Sequence, residues 1–245
     1  MTHHAQLWSS SWYPATAYLI AFIGSVLGLS CAGRLRVVGP GRGKGWLAAG
    51  AVSLGSGIWG MHFVAMLGYE VDGADLRYEV ALTALSWLLA VVVVGVGMHV
   101  AGRRDAWHHL LGGGVLAGLG VAGMHYLGMR AIRLPGSLSY DPAVVALSVV
   151  IAVVAATAAL WATLRVRGRV AITGAALVMA FAISAMHYTG MEAVTATTDG
   201  TTSTAGVSSS AFVLPLIVGL TLIILLVSFA VLMNTLDDVS TPDRW

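Results

Sequence analysis

Seven segments of about 20 residues, the length that crosses roughly 30 Å of hydrocarbon, run through this chain with almost no formal charge inside them. They are Ala15–Ala32, Trp46–Leu67, Val80–Val100, Leu110–Ala131, Ala143–Leu164, Val170–Met191 and Ala211–Met233. Backbone groups in lipid must be satisfied within the segment, so runs of this length are helices; barrel strands would be half as long and alternate in polarity. Composition agrees, with 58% apolar and only 10% charged residues, where a soluble domain needs about a quarter charged to cover its surface. That excludes an ordinary cytosolic enzyme, a disordered chain and a nucleic-acid binder. The partner such a surface fits is the lipid bilayer. The single cysteine, Cys31, excludes an intramolecular disulfide framework and reads as a small apolar helix residue.

Basic residues orient the spans. Arg34, Arg36, Arg42, Lys44, Arg103, Arg104, Arg165, Arg167, Arg169 and Arg244 fall on one side, leaving only Arg77, Arg130 and Arg133 on the other. The positive-inside rule puts the N-terminus outside and the C-terminus in the cytoplasm. No Lys or Arg precedes the first span, which is the wrong flank for a cleaved signal. The expected fold is an all-α polytopic membrane protein. It has an extracytoplasmic segment 1–14, a seven-helix domain 15–233 and a short cytoplasmic tail 234–245.

Within the spans a motif repeats: small–Met–His–aromatic–x–small–Met. Gly60-Met61-His62-Phe63-Val64-Ala65-Met66 recurs as Gly123-Met124-His125-Tyr126-Leu127-Gly128-Met129 and again as Ala185-Met186-His187-Tyr188-Thr189-Gly190-Met191. The histidines are one helical hairpin plus its loops apart, so the chain carries a threefold hairpin repeat with one copy on each even-numbered helix. All three helices run outward, and at 1.5 Å per residue His62 lies about 24 Å from the cytoplasmic start of its span. His125 and His187 come out at nearly the same depth, so the three can converge on one site. Small residues also recur upstream, at Gly50, Gly113 and Ala175, at Gly55, Gly118 and Ala180, and at Gly57, Gly120 and Ala182. Because small residues permit close helix approach, they are expected to bring helices two, four and six together, with the odd helices around them.

Any one copy reads most simply as core packing, since methionine fills apolar cores and a lone buried histidine is usually hydrogen-bonded. Three copies at matched depth do not, because a polar ring in hydrocarbon is expensive and intramembrane ionisable residues are usually functional. The site offers three imidazoles, His62, His125 and His187. Up to six thioethers accompany them: Met66, Met129 and Met191 on the histidine faces, and Met61, Met124 and Met186 rotated about 100° away. Imidazole suits several transition metals, while thioether selects for copper, and no carboxylate belongs to the motif. The expected cofactor is copper; haem needs less than a threefold Met–His repeat supplies. Tyr126 and Tyr188 are candidate hydrogen-bond donors behind the ligands, and Phe63 and Trp59 candidate packing partners.

At these residues the chain resembles the MHYT family, a bacterial seven-helix membrane module named for Met-His-Tyr-Thr. Met186-His187-Tyr188-Thr189 matches the name letter for letter; the second copy has Leu127 in place of Thr, and the first has Phe63 and Val64. The resemblance covers roughly Leu7 to Met233. It implies a sensory role in the cytoplasmic membrane, with copper near the outer face sensing oxygen, carbon monoxide or nitric oxide. Many members fuse the module to cyclic-di-GMP, histidine-kinase or DNA-binding output domains. Only twelve residues, Asn234 to Trp245, follow the last span here, so the expectation is a standalone form signalling through a separate partner protein. The alternatives are a copper-dependent membrane oxidase or monooxygenase acting on an apolar substrate, and a copper carrier. The carrier is the weakest, because the inner halves of the spans lack a relay of polar sites.

Other polar residues carry lesser expectations. Met1-Thr2-His3-His4 could chelate Cu(II) through the terminal amine, backbone nitrogens and an imidazole, though a solvated segment is the simpler reading. His99, His108 and His109 read as interfacial and solvated. Trp8, Trp12, Trp46, Trp107 and Trp161 read as an aromatic belt. Arg130 and Glu192, each five residues after a motif histidine, read as a surface ion pair at the outer mouth. The Thr/Ser-rich stretch Thr195–Ser210 reads as a mobile outer loop.

Overall fold

The computed structural model describes residues 2–3, 12–71, 75–103, 106–198 and 206–240; His4, Trp8, Arg104 and Arg244 lie outside this set. Its helices are α1 (Trp12–Arg42), α2 (Lys44–Met66), α3 (Val80–Ala101), α4 (Trp107–Ala131), α5 (Pro142–Arg165), α6 (Arg169–Glu192) and α7 (Ser209–Ser240). Among the described residues, seven helices are long and apolar enough to cross a membrane. The spans match the apolar segments, with two excesses: α7 continues seven residues past Met233, to Ser240, into the stretch expected to be tail. α1 continues ten residues beyond Ala32, carrying Arg34 and Arg36 in helical conformation until Gly39 breaks the geometry with φ 75°. Long basic side chains let a helix run on past the hydrocarbon edge, because their heads reach water while the stems stay on apolar surface.

The six helices α1 to α6 form a ring in chain order, each packing on the next and α6 closing back on α1, with α7 laid outside against α1 and α2. This corrects the expected use of the small residues. They serve the seams between even and odd helices rather than drawing α2, α4 and α6 onto one another. A Cβ added to Gly55 would stand 2.8 Å from the Val91 backbone of α3, and one added to Gly57 would stand 2.9 Å from Gly24 of α1. The next copy repeats the arrangement: Gly118 abuts the backbone of Val153 on α5, and Gly120 abuts Val93 on α3. A flat, Cβ-free strip on each flank of an even helix lets both odd neighbours approach closely. The even helices then converge only at their outer ends.

At that outer end the connections form two small antiparallel sheets, which the apolar pattern did not reveal. β1 (Thr2–His3), β5 (Val194–Thr198) and β4 (Gly136–Tyr140) make one, in the order β1-β5-β4. β3 (Ile132–Arg133), β2 (Arg77–Tyr78) and β6 (Val207–Ser208) make the other, in the order β3-β2-β6. The Thr/Ser-rich stretch is therefore strand at both ends, with Tyr140 opposite Val194 and Tyr78 opposite Val207. The backbone of His3 pairs with Ala196. Asp141 closes the turn into α5, accepting from Ala143 N and Val144 N at 2.8 and 3.2 Å, with Pro142 in the first turn where its missing N–H costs nothing.

Candidate metal centre

The three motif histidines meet. Their Nδ1 atoms form a near-equilateral triangle: His62 to His187 3.1 Å, His62 to His125 3.2 Å, and His125 to His187 3.3 Å. Ring planes stand 76–82° to one another, so the imidazoles make a three-bladed propeller with a shared hub. All three side chains are buried, none more than 1% exposed. Among the described residues this is the one group of three or more His, Cys, Asp or Glu side chains whose ligand atoms converge.

A ring of three Nδ1 atoms cannot be satisfied by protons alone. In a neutral imidazole, Nδ1 either donates or accepts, never both. With one proton in the triangle two lone pairs face each other; with two protons, two N–H groups do. A cation at the hub satisfies all three lone pairs at once. The spacing fits: tetrahedral coordination with metal–nitrogen bonds of about 2.0–2.1 Å requires nitrogen separations of about 3.3–3.4 Å, against the 3.1–3.3 Å seen here.

Packing holds the rings in place. A Cβ added to Gly128 of α4 would collide with Nε2 of His62, and one added to Gly190 of α6 would stand 2.5 Å from Nε2 of His125. The glycine three places after His125 and after His187 thus receives the imidazole of the preceding copy, a role the sequence reading missed although the position is part of the motif. Nε2 of His62 and of His125 are buried without a hydrogen-bond partner among the described residues, so glycine backbone orients these rings where a carboxylate or carbonyl commonly would. Each histidine also meets the aromatic residue that follows it edge-on, with centroids 4.8 Å apart for Phe63, Tyr126 and Tyr188 alike.

Tyr126 does not donate to a histidine; its hydroxyl pairs with Ser148 Oγ of α5 at 2.6 Å. Trp59 packs on Phe63 at 5.0 Å and its Nε1 donates to Thr83 O and Ser86 Oγ, tying α2 to α3. Met61, Met66, Met124, Met129, Met186 and Met191 are all buried in the same core. Outward of His62 the site is closed by rings: Tyr78 stacks on Phe212 at 4.6 Å, both lie against Phe63, and the Tyr78 hydroxyl donates to Met66 O. Burial pushes the Tyr78 phenol well above its ordinary range.

Arg130 and Glu192 are both exposed and make no pair with each other; among the described residues an ion pair at this end joins Arg133 to Glu79. His99, His108 and His109 stay apart from the triad at the opposite end, His99 and His108 exposed. Cys31 is fully buried, as its apolar reading expects, and Trp12, Trp107 and Trp161 are exposed near helix ends.

Fold and site together define a polytopic membrane module with a polar centre enclosed in the outer half of its bundle. A family model described as "Bacterial signalling protein N terminal repeat" (MHYT) matches residues 55–114 and 118–180, taking in the first two motifs. The chain is 40% identical over 185 residues to the "Bifunctional diguanylate cyclase/cyclic di-GMP phosphodiesterase MucR" of Pseudomonas aeruginosa, covering 73% of this chain and 27% of that protein. It is 44% identical over 156 residues to the "Cyclic di-GMP phosphodiesterase NbdA" of the same organism, covering 61% and 20%. The "Signaling protein YkoW" of Bacillus subtilis is 31% identical over 191 residues, covering 72% and 23%. The chain therefore spans about a quarter of the length of these relatives. No solved structure matches it.

The chain belongs to the MHYT family. It is a multi-pass protein of the bacterial inner membrane and a sensor domain of the kind found in bacterial signalling proteins.

Proposed function

We propose that His62, His125 and His187 hold a copper ion and that the domain reports a diatomic gas (oxygen, carbon monoxide or nitric oxide), or redox state, to a signalling partner. The observation that carries this reading is the Nδ1 triangle at 3.1–3.3 Å, which protons cannot satisfy and a cation can. Three facts narrow the cation. The donors are imidazoles, the surroundings are rich in buried methionine, and among the described residues no carboxylate joins the cluster; that set favours copper over magnesium, calcium or a di-iron centre. Copper bound there supplies one-electron chemistry and, with three protein ligands, room for a further ligand.

The chain's own part is orientation and exclusion. Gly128 and Gly190 set two imidazole planes, the three edge-on aromatics hold the propeller, and the Tyr78–Phe212 stack keeps outer water away. A change at the triad would be felt by all three even helices, whose cytoplasmic ends offer a route to a partner. Two relatives act on cyclic di-GMP by name, so cyclic-di-GMP turnover is the output we expect this module to control.

Metal analysis of detergent-purified protein tests the site. One copper per chain is expected after loading, reduced at least tenfold in His62→Ala, His125→Ala and His187→Ala. Copper that never reaches stoichiometry, or that survives all three substitutions, would contradict the reading. Nitric oxide or carbon monoxide added to the reduced, loaded protein should alter its spectrum; an unchanged spectrum would contradict gas sensing.

A further inference from the structure

Directly beneath the histidine triangle the bundle leaves an apolar cavity of about 50 Å³. Its ceiling and walls follow the threefold repeat. Ile58, Val121 and Ile183 each stand four residues before a motif histidine, and Leu54, Ala117 and Met179 eight before, and all six line the cavity. Residues spaced by four share a helix face, so these are the faces that carry the histidines, continued inward by about 6 and 12 Å. Met186, the residue before His187, also lines the cavity and places its wall against the site. The space exists because the small residues turn sideways into the even–odd seams, leaving the three inward faces too far apart to interdigitate.

The cavity is asymmetric. On one side its wall is α5, where Ala152, Ala155, Ala156 and Ala159 face it, with Ala182 of α6 beside them. Ala152 is buried, but Ala155, Ala156, Ala159 and Ala182 are only half-buried, so the seam between α5 and α6 is thin and reaches the lipid-facing surface through methyl groups. On the other flank of α6, the Tyr18 hydroxyl of α1 donates to Leu177 O. Outward, the triad is closed by Phe63, Tyr78 and Phe212. The thinnest cover over the histidines therefore faces hydrocarbon.

We infer that this cavity is a docking chamber for an apolar diatomic molecule, which enters from the bilayer between α5 and α6 and passes Met186 to reach the histidine triad. The inference rests on the gas-sensing reading and adds where the ligand waits and from which phase it comes. Every side chain lining the chamber is apolar, and an apolar cavity stays dry and accepts apolar guests, one of about 150 Å³ taking benzene or xenon. At a third of that volume this one takes a diatomic and refuses a quinone ring or lipid chain, which also weighs against an oxidase with a bulky apolar substrate. An apolar gas moves from water into hydrocarbon spontaneously, so a lipid-side entrance draws on the richer phase. Met186 suits the last step, because an unbranched thioether side chain changes rotamer without leaving a void.

Xenon is the test probe, applied to metal-free protein so that the chamber is read independently of copper. Xenon NMR of the full chain in detergent should show one saturable site, and xenon-pressurised crystals should place it between Ile58, Val121 and Ile183. Ala156→Leu should fill the chamber and reduce occupancy at least fivefold; Ile183→Ala should enlarge it and raise occupancy, which guards against a misfolded filling variant. Absence of a saturable site in the wild type, or occupancy unmoved by both substitutions, overturns the proposal. In copper-loaded protein, Ala156→Leu should slow carbon monoxide association about tenfold while copper content stays the same; an unchanged rate overturns the lipid-side route. Loss of copper or gas binding with xenon binding intact would instead locate the failure in the metal reading.

Discussion

The outer and inner halves of the same bundle are built on opposite principles. The outer half is closed and specific: three imidazoles share a hub, an aromatic residue meets each edge-on, and the Tyr78–Phe212 stack and two short sheets cover them. The inner half is open and generic, with an apolar cavity of about 50 Å³ under the triad and a pocket of about 390 Å³ between cytoplasmic helix ends, edged by Arg36, Lys44, His99 and Arg103. Both halves use the same helices and the same small-residue seams. The difference lies in what each even helix turns inward: histidine with a glycine or alanine three residues later in the outer half, and branched aliphatics, alanine or methionine in the inner half. A motif of seven residues is enough to make one level of the bundle polar and tightly packed while the levels below stay apolar and loose.

The contrast can be broken from the outside first. Tyr78 is fully buried, stacked on Phe212 and bonded to Met66 O. Tyr78→Ala should cost about 3–5 kcal/mol, read by denaturant unfolding in micelles, and should speed extraction of bound metal by a water-soluble chelator. A neutral substitution would mean that the outer half is not closed by this stack. Next in size is the glycine contrast. Gly190→Ala forces a methyl onto the His125 ring and should cost about 1–3 kcal/mol, as overpacking does, with copper affinity down about tenfold. Gly112→Ala, on the same kind of helix with nothing within 4 Å of the added Cβ, should be neutral or slightly stabilising. Equal effects at the two positions would dissolve the distinction between site glycines and ordinary ones.

Smaller effects sharpen the edges. Ser148→Ala removes the partner of the Tyr126 hydroxyl and should cost about 1 kcal/mol, measured against Tyr126→Phe in a double-mutant cycle. Tyr69, at the outer rim, is pushed up to about 12 by burial and then by its neighbour Tyr140, while an unfolded tyrosine ionises near pH 10. The unfolded chain therefore loses the proton first, and stability falls as pH rises between about 10 and 12. The Tyr69 hydroxyl is buried with no hydrogen-bond partner among the described residues, so Tyr69→Phe should leave neutral-pH stability unchanged or slightly raised and flatten the alkaline decline. A decline of the same slope in the variant would remove Tyr69 from the account.

How much of this was legible beforehand depends on what each residue type reports. Apolar runs report the solvent, and they placed every span, with α3 and α4 both ending within a residue of the expected limit. They do not report where a helix stops once its side chains can reach water, which is why α1 runs to Arg42. The triad was legible because three ionisable side chains at equal depth in hydrocarbon have no cheap explanation. The small residues were legible as close-approach points, but size says nothing about direction, so their partners on α1, α3 and α5 had to be seen. Strands of two to five residues, such as β2 and β4, leave too short a pattern to read. The cavity follows from an absence of interdigitation, which no single residue encodes.

The central claim is that three Nδ1 atoms share one copper ion, and X-ray absorption at the copper edge of loaded protein tests it most directly. The account predicts three imidazole nitrogens at about 2.0 Å in the wild type, reduced to two in whatever copper His125→Ala retains. A copper site with no more than one imidazole nitrogen, or one indistinguishable between the two proteins, would contradict it.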